Sequence, residues 1–163
     1  MLTIEDGSIV TDADSFATLA ELVSYSANYG VTIPDDDVTI EQLLRRAYLQ
    51  MGSMDWKGYI MSATQTGPWP RYGVVRNDFQ LESDVIPQQI KLGQMALAAE
   101  IYADDLDPPE GRIGPVKSET VGPISTTYAT APNYKARPAA SRRSFAHFAS
   151  FLNPSSSIRL SRG

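Results

Sequence analysis

The sequence predicts a mainly α-helical fold: a small helical bundle with a short β-ribbon and an extended C-terminal arm that ends in a short helix. Three observations support this prediction. Apolar residues recur at helical spacing in three segments before residue 104, two strand-like runs meet at Gly122-Pro123, and a linker-like segment follows at 129–140. We therefore divide the chain into a helical body (1–111), a β-ribbon (112–130), and an extended arm with an amphipathic helix and a basic tip (131–163).

The first helix is predicted at about 15–28. Asp14 or Ser15 is a suitable N-cap, and Gly30 is a suitable C-terminal stop. The apolar positions between them repeat with the period of a helix face. They are Phe16, Leu19, Ala20, Val23 and Ala27.

The second helix has the clearest pattern in the chain. Thr39 and Gln42 have the spacing of a capping box, in which each side chain bonds the backbone N–H of the other residue. Arg45 and Arg46 fall on the opposite face from the apolar stripe, so we expect a core helix with a solvated basic face. The stripe comprises Ile40, Leu43, Leu44, Ala47, Tyr48 and Met51.

From Gly52 to Asp84 no periodicity holds, although Trp56–Met61 could extend the second helix or form a short one. The segment is rich in large aromatic residues, namely Trp56, Tyr59, Trp69, Tyr72 and Phe79. They could pin a long loop onto the helices, or they could form a stacking platform for single-stranded bases. The second reading needs cations beside the rings, and the candidates are Lys57, Arg71 and Arg76.

Pro87 suits the first turn of a third helix, which continues through Ile90–Ala103. This helix is apolar on nearly all sides, so it must be covered on all sides. In so short a chain we expect other copies to supply part of that cover. Glu100 is expected in an interface salt bridge or at its rim, and the alternative is a buried acid with a function.

The β-ribbon would pair Val116–Val121 with Ile124–Tyr128. A two-stranded ribbon is barely stable in water, so we expect a third strand or a neighbouring copy beside it. Farther along, Phe145, Phe148 and Leu152 are spaced as one helical stripe, with Phe151 nearby and a stop at Asn153-Pro154. His147 lies off that stripe and is expected at a solvated or interface position.

The net charge of −5 conceals a strong polarity along the chain. Residues 1–111 hold 18 acidic and 6 basic side chains, whereas residues 112–163 hold 8 basic side chains and one acidic side chain. The two parts therefore carry −12 and +7. Such asymmetry is typical of an interaction tail, whose target could be nucleic acid or an acidic face of another copy or partner.

The sequence predicts a protein that is not an enzyme, with no catalytic residues and no bound metal or cofactor. It contains no cysteine and a single histidine, which excludes thiolate metal sites and argues against histidine clusters. Nucleotide-binding loops and nucleophile or zinc-protease motifs do not occur. No apolar run approaches the ~20 residues of a membrane helix, and the N-terminus is unlike a signal peptide, so we expect a soluble protein with no membrane contact.

Several short motifs follow one another along almost the whole chain: IEDG, ADS, LRRAYLQM, WPRYG, IPQQI, VKSETVGPISTTYA and IRLSRG. In this order they resemble the head-to-tail connector, or adaptor, proteins of tailed phages. The resemblance implies a structural virion protein in the neck, assembled in the host cytoplasm as a ring of twelve copies. It also implies contacts with the portal protein and with downstream neck and tail proteins, and passage of genomic double-stranded DNA through the ring.

Under this reading, the ribbon and the arm would supply the contacts to other copies and to the portal. The candidate interface residues are Val116, Lys117, Val121, Ile124, Thr126, Tyr128, Arg142, Arg143, Phe145, Phe148, Phe151, Leu152, Ile158, Arg159, Leu160 and Arg162.

The alternative function is binding of single-stranded DNA, because proteins of this kind are often labelled similar to the primosomal protein DnaT. Its charged and stacking groups would be Lys135, Arg137, Arg142 and Arg143, with Tyr134, Phe145 and Phe148. Such binding should weaken steeply with salt. The negative charge of the body opposes it, since DNA approaching the tail also meets a repulsive domain.

Overall fold

Four helices and six short strands form the part of the chain that the structure describes. The computed structural model describes residues 1–107 and 142–154 with their side chains, and the backbone of 119–121 and 124–126. The helices are α1 (Leu19–Tyr29), α2 (Asp37–Gly52), α3 (Gln88–Leu106) and α4 (Arg143–Phe148). The strands are β1 (Tyr59–Ile60), β2 (Arg71–Tyr72), β3 (Val75–Arg76), β4 (Phe79–Gln80), β5 (Glu119–Val121) and β6 (Ile124–Thr126). The predicted class, a small helical protein with a short β-ribbon, is confirmed.

Helix α1 begins four residues later than predicted. Its N-cap is Thr18, which forms a capping box with Glu21, whereas Asp14 accepts a hydrogen bond from the Thr3 amide. The predicted apolar face is only partly correct: Phe16 is buried and Leu19 packs against the core, but Val23 is exposed, and Leu22 and Tyr25 are buried instead. The predicted stop is confirmed, because Gly30 ends the helix in the left-handed conformation.

Helix α2 confirms the predicted core stripe. All six of its apolar positions are buried. The predicted cap is wrong, since Asp36 precedes the helix and its carboxylate accepts from the Thr39 amide at 2.8 Å. A carboxylate at the first turn also interacts favourably with the helix dipole, which explains why Asp36 replaces Thr39 in this role.

The segment between α2 and α3 forms two small hairpins and no helix, so the helical reading of Trp56–Met61 is wrong. Strand β1 pairs antiparallel with β2, and β3 pairs antiparallel with β4. Trp56 and Trp69 pack into the core, as expected for aromatics that pin a long loop to the helices. The other three aromatics of the segment are exposed.

Helix α3 is the centre of the body, and its burial on nearly all sides is confirmed. Nine of its residues, from Ile90 to Ile101, are buried. Within the one chain described, α2, α1 and α4 pack around it, so its burial does not need another copy. Helix α4 makes the most extensive of these contacts, so the segment predicted to reach outward lies on its own body.

Strands β5 and β6 form the predicted antiparallel ribbon, with Val121 opposite Ile124. Helix α4 is shorter than its pattern predicted, ending near Phe148 rather than at Asn153. Three further parts lie outside the described residues: the outer residues of the two predicted strands, the linker 129–140 and the basic tip. Within the described helices, none is long and apolar enough to cross a membrane.

Candidate docking surfaces

The predicted interface residues divide into three groups. The first group lies outside the described residues and comprises Val116, Lys117, Tyr128, Ile158, Arg159, Leu160 and Arg162. Three residues named for DNA binding lie outside them as well, namely Tyr134, Lys135 and Arg137. Val121, Ile124 and Thr126 are described by backbone only. The third group is described with its side chains and belongs to a segment docked on the body; it comprises Arg142, Arg143, Phe145, Phe148, Phe151 and Leu152.

Residues 142–153, which we call the docking segment, occupy a seat built from α3 and from the segment 53–87 between α2 and α3, which we call the hairpin loop. The ring of Phe148 lies directly on Gly93, where an added Cβ would be 2.1 Å from the ring. The Phe148 ring meets Trp56 edge-on at 5.1 Å, and Phe151 meets Trp69 edge-on at 5.7 Å. The predicted stripe is therefore partly wrong: Phe148 and Phe151 are buried, whereas Phe145 is 48% exposed.

Polar contacts fix the docking segment in register at both ends. The Glu100 carboxylate accepts from the Ser144 amide at 3.0 Å and from the Ser144 hydroxyl at 2.5 Å. At the other end, the Lys57 amide donates to the Phe151 carbonyl at 2.8 Å and the Asn153 amide to the Asp55 carbonyl at 2.9 Å. Glu100 thus holds a segment of its own chain.

His147 lies at the edge of this seat. Its ring contacts Tyr29 edge-on, with ring centroids 6.5 Å apart. Burial lowers the pKa of His147 below its ordinary value of 6.5, although the nearby Glu100 carboxylate acts in the opposite direction. The docked segment therefore favours the neutral imidazole.

The seat was not predicted from the sequence, because the residues around its key positions form no recognisable motif. Gly93 interrupts an apolar helix, and such a glycine is a signal of close approach by another group. Glu100 is the only charged residue between Gln94 and Ala103. These two positions could have indicated a partner for α3, but not which segment provides it.

A second surface, which we call the hairpin surface, consists of the exposed apolar side chains of β1 to β4. Tyr59 and Tyr72 are cross-strand neighbours with ring centroids 5.4 Å apart, and both are largely exposed. Phe79 is 76% exposed and Val75 51%. An open groove of about 280 Å³ follows β4 along the chain, lined by Gln80, Leu81, Glu82, Val85 and Pro87.

The cations near the hairpin surface are engaged in holding the loop. The Arg71 guanidinium donates to the carbonyls of Trp56, Lys57, Gly58 and Pro68 at 2.7–3.3 Å, and burial lowers its pKa. Arg76 lies over the Phe151 ring at 5.2 Å. Lys57 donates to the Ser150 carbonyl at 2.9 Å. Among the residues that the structure describes, a stacking platform for bases on this surface therefore lacks the free cationic lining that it needs.

Both arginines of α2 form ion pairs with acidic side chains of the body. Arg45 bonds Asp14 at 2.6 Å and lies 3.4 Å from Glu41, and Arg46 pairs with Asp105 through both of its terminal nitrogens. Residues 1–107 hold 17 acidic and 6 basic side chains, a net charge of −11. Five of those six bases make the contacts described above, so the body presents an acidic surface. In the part of the chain that the structure describes, no three potential metal ligands cluster together.

The comparisons with known proteins give one result for the whole chain. A search of the curated proteins found no match, and neither did a search of the solved structures. The profile of one protein family matches residues 1–163. The chain therefore belongs to the family described as "Putative DnaT-like ssDNA binding protein".

Proposed function

We propose that this chain is a structural assembly protein, a head-to-tail connector subunit of a tailed phage. The observation that carries the proposal is the contrast between its two kinds of surface. The body has a net charge of −11 over residues 1–107, with five of its six basic side chains engaged in the contacts described above, while large apolar side chains of the hairpin surface remain exposed. Such a surface suits a protein partner and repels a polyanion.

The order of motifs along the chain, from IEDG to IRLSRG, supports the same proposal through its resemblance to connector proteins. An acidic body also suits a DNA conduit, because like charge repels phosphates and lets DNA slide. The partner of the hairpin surface is the portal protein, and twelve copies form the ring in the virion neck.

Binding to the portal protein of the same phage tests this proposal. Phe79→Ser should weaken portal binding by about tenfold or more, since a mostly exposed phenylalanine that becomes buried at an interface contributes strongly. Leu49→Ser is the matched control, because Leu49 is 79% exposed on α2, outside the hairpin surface. Failure of the wild-type chain to bind the portal, together with no added ring in negative-stain images, would rule the connector function out.

Single-stranded DNA binding is the second candidate, and the family to which the chain belongs favours it. The basic charge for it lies in residues 112–163. Within the docking segment, Phe148 is buried, Arg142 pairs with Asp104 at 3.2 Å and Arg143 donates to the Tyr29 carbonyl at 3.3 Å. Those three groups would have to leave the body before they could contact DNA.

Fluorescence anisotropy with a labelled oligo(dT) at 50 and 200 mM salt measures this second function. The logarithm of the binding constant should fall with that of the salt concentration by roughly 0.7 per phosphate contacted. Lys135→Ala with Arg137→Ala should reduce both affinity and slope, whereas Arg46→Ala, on the acidic body, should change neither. An absence of binding at 50 mM salt would exclude this candidate.

A further inference from the structure

We propose that the seat on α3 and the hairpin loop also accepts the docking segment of a second copy, so that copies join by exchanging residues 142–153. The proposal concerns how copies hold one another, and it stands whichever of the two functions applies. Four features of the molecule support it.

The seat recognises its occupant in the manner of a peptide-binding site. An apolar notch at Gly93 takes Phe148, and the rings of Trp56 and Trp69 take Phe148 and Phe151 edge-on. Main-chain pairing of Trp56 with Leu152 sets the register. None of these contacts depends on chain connectivity, so a segment from another copy makes the same ones.

The occupant is complementary to the seat in charge as well as in shape. Arg142 and Arg143 begin the docking segment, and Arg142 meets Asp104 near the end of α3. Ser144 is then held by the Glu100 carboxylate through both its amide and its hydroxyl. The body is acidic and the remainder of the chain basic, so approaching copies attract one another through these parts.

The connection between α3 and the docking segment is much longer than docking within one chain requires. Asp104 and Arg142 are in contact, so the connecting residues begin and end close together. Helices that lie so close are joined by 2–8 residues in most bundles. Here 36 residues, 107–142, separate the two helices. If extended, that length reaches up to about 120 Å, far enough to place the segment on a neighbouring copy.

An empty seat would also be unfavourable. Without the docking segment, Gly93, Trp56 and Trp69 would present apolar surface to water, and Glu100 would lose its partner. Each seat therefore favours one occupant, from its own chain or from another. Within one chain the local concentration of the segment is in the millimolar range, so exchange increases where copies are crowded together.

Disulfide trapping tests the exchange, because the chain has no cysteine of its own. Asp55 and Asn153 are suitable positions, since their backbones are hydrogen-bonded and their side chains touch at 2.8 Å. The full-length chain carrying Asp55→Cys and Asn153→Cys together should form a disulfide and thereby verify the docking. A chain carrying only Asp55→Cys is then mixed with a mass-tagged chain carrying only Asn153→Cys.

Exchange predicts a disulfide-linked heterodimer in this mixture, with a yield that rises with protein concentration. Adding Gly93→Ala to the Asp55→Cys chain should lower the yield about tenfold, because the new Cβ takes the place of the Phe148 ring. Gly52→Ala is the matched control, because Gly52 is also a helical residue, the last of α2. A Cβ added at Gly52 meets no neighbour within 4 Å.

Two results would overturn the proposal. In the first, the double variant forms its internal disulfide while the mixture gives no heterodimer at any concentration. In the second, the double variant forms no disulfide, which would mean that the seat itself is not occupied as described. Neither measurement uses the portal or DNA, so both are separate from the tests of function.

Discussion

Gln94 joins three parts of the body through one fully buried side chain. Its amide oxygen accepts from the Phe16 amide at 2.8 Å, and its amide nitrogen donates to the Ser15 hydroxyl and the Leu44 carbonyl, each at 3.0 Å. The N-terminal segment, α2 and α3 therefore meet at this residue. A buried amide with all of these partners specifies how the elements pack, because shifting any one of them leaves polar groups unpaired.

Replacement of Gln94 by leucine should destabilise the protein by about 2–4 kcal/mol. The buried Phe16 N–H would lose its acceptor, and leaving a buried donor unpaired costs its full desolvation penalty. Urea unfolding measures the loss as a lower midpoint at unchanged slope. Gln42→Leu, at an exposed position of α2, is the control and should change the midpoint little. Equal midpoints for the two variants would contradict the role of Gln94.

At the residue scale, sequence patterns predicted the apolar core well and its buried polar groups poorly. The six core positions of α2 follow from periodicity alone. Glu5 could not be predicted, although its buried carboxylate accepts from the amides of Gly7, Ile9 and Val10 at 2.8–3.1 Å. Its position is set by a tight local turn, and charged residues are seldom fully buried, so composition argues against it.

At the scale of elements, helices were predicted where one strong cap or stripe exists, and their ends were misplaced where two signals compete. Asp14 and Ser15 are good caps, but the reciprocal pair of Thr18 and Glu21 satisfies more backbone groups and determines the start of α1. For α4, the chain leaves the helix after Phe148, so Phe151 rather than Leu152 enters the core. The partner of each element is a tertiary choice that local patterns do not contain.

Docking of α4 should weaken as the pH falls below about 6.5. Burial lowers the pKa of His147 in the docked state, so above 6.5 the imidazole is neutral whether the segment is docked or released. As the pH falls through 6.5, the released segment binds a proton that the docked one resists, and release is favoured. Glu100 is the charged group that opposes this effect, and Tyr29 faces the same ring.

Tryptophan fluorescence can follow this change, since the chain has only Trp56 and Trp69 and both contact the docking segment. Between pH 7.5 and 5.5, the wild-type chain should lose more stability in urea than His147→Gln, which cannot titrate. Carboxylates contribute equally to both proteins, so the difference isolates the imidazole. A difference of the opposite sign would mean that the imidazolium pairs favourably with Glu100 in the docked state.

At the scale of the whole molecule, the body completes its own core. Helix α3 was expected to need other copies, yet α4 of the same chain covers it after 36 intervening residues. In the assembly that we propose, association between copies depends on exchange of that cover, on the hairpin surface and on charge. The charge polarity was readable from composition, because it needs no knowledge of packing.

The charge polarity between the body and residues 112–163 leads to a prediction that distinguishes the effect of charge distribution from the effect of net charge on attraction between copies. Lys91→Glu and Arg159→Glu each change the net charge from −5 to −7. Arg159→Glu reduces the positive charge of residues 112–163 and should weaken attraction between copies. Lys91→Glu makes the acidic body more acidic and should strengthen it.

Static light scattering at 20 mM salt measures this attraction through the second virial coefficient. The two variants should move the coefficient in opposite directions from the wild-type value, and 300 mM salt should remove most of the difference, since the screening length is then below about 8 Å. If both variants become equally more repulsive, net charge alone governs their association, and the polarity between body and tail has no part in bringing copies together.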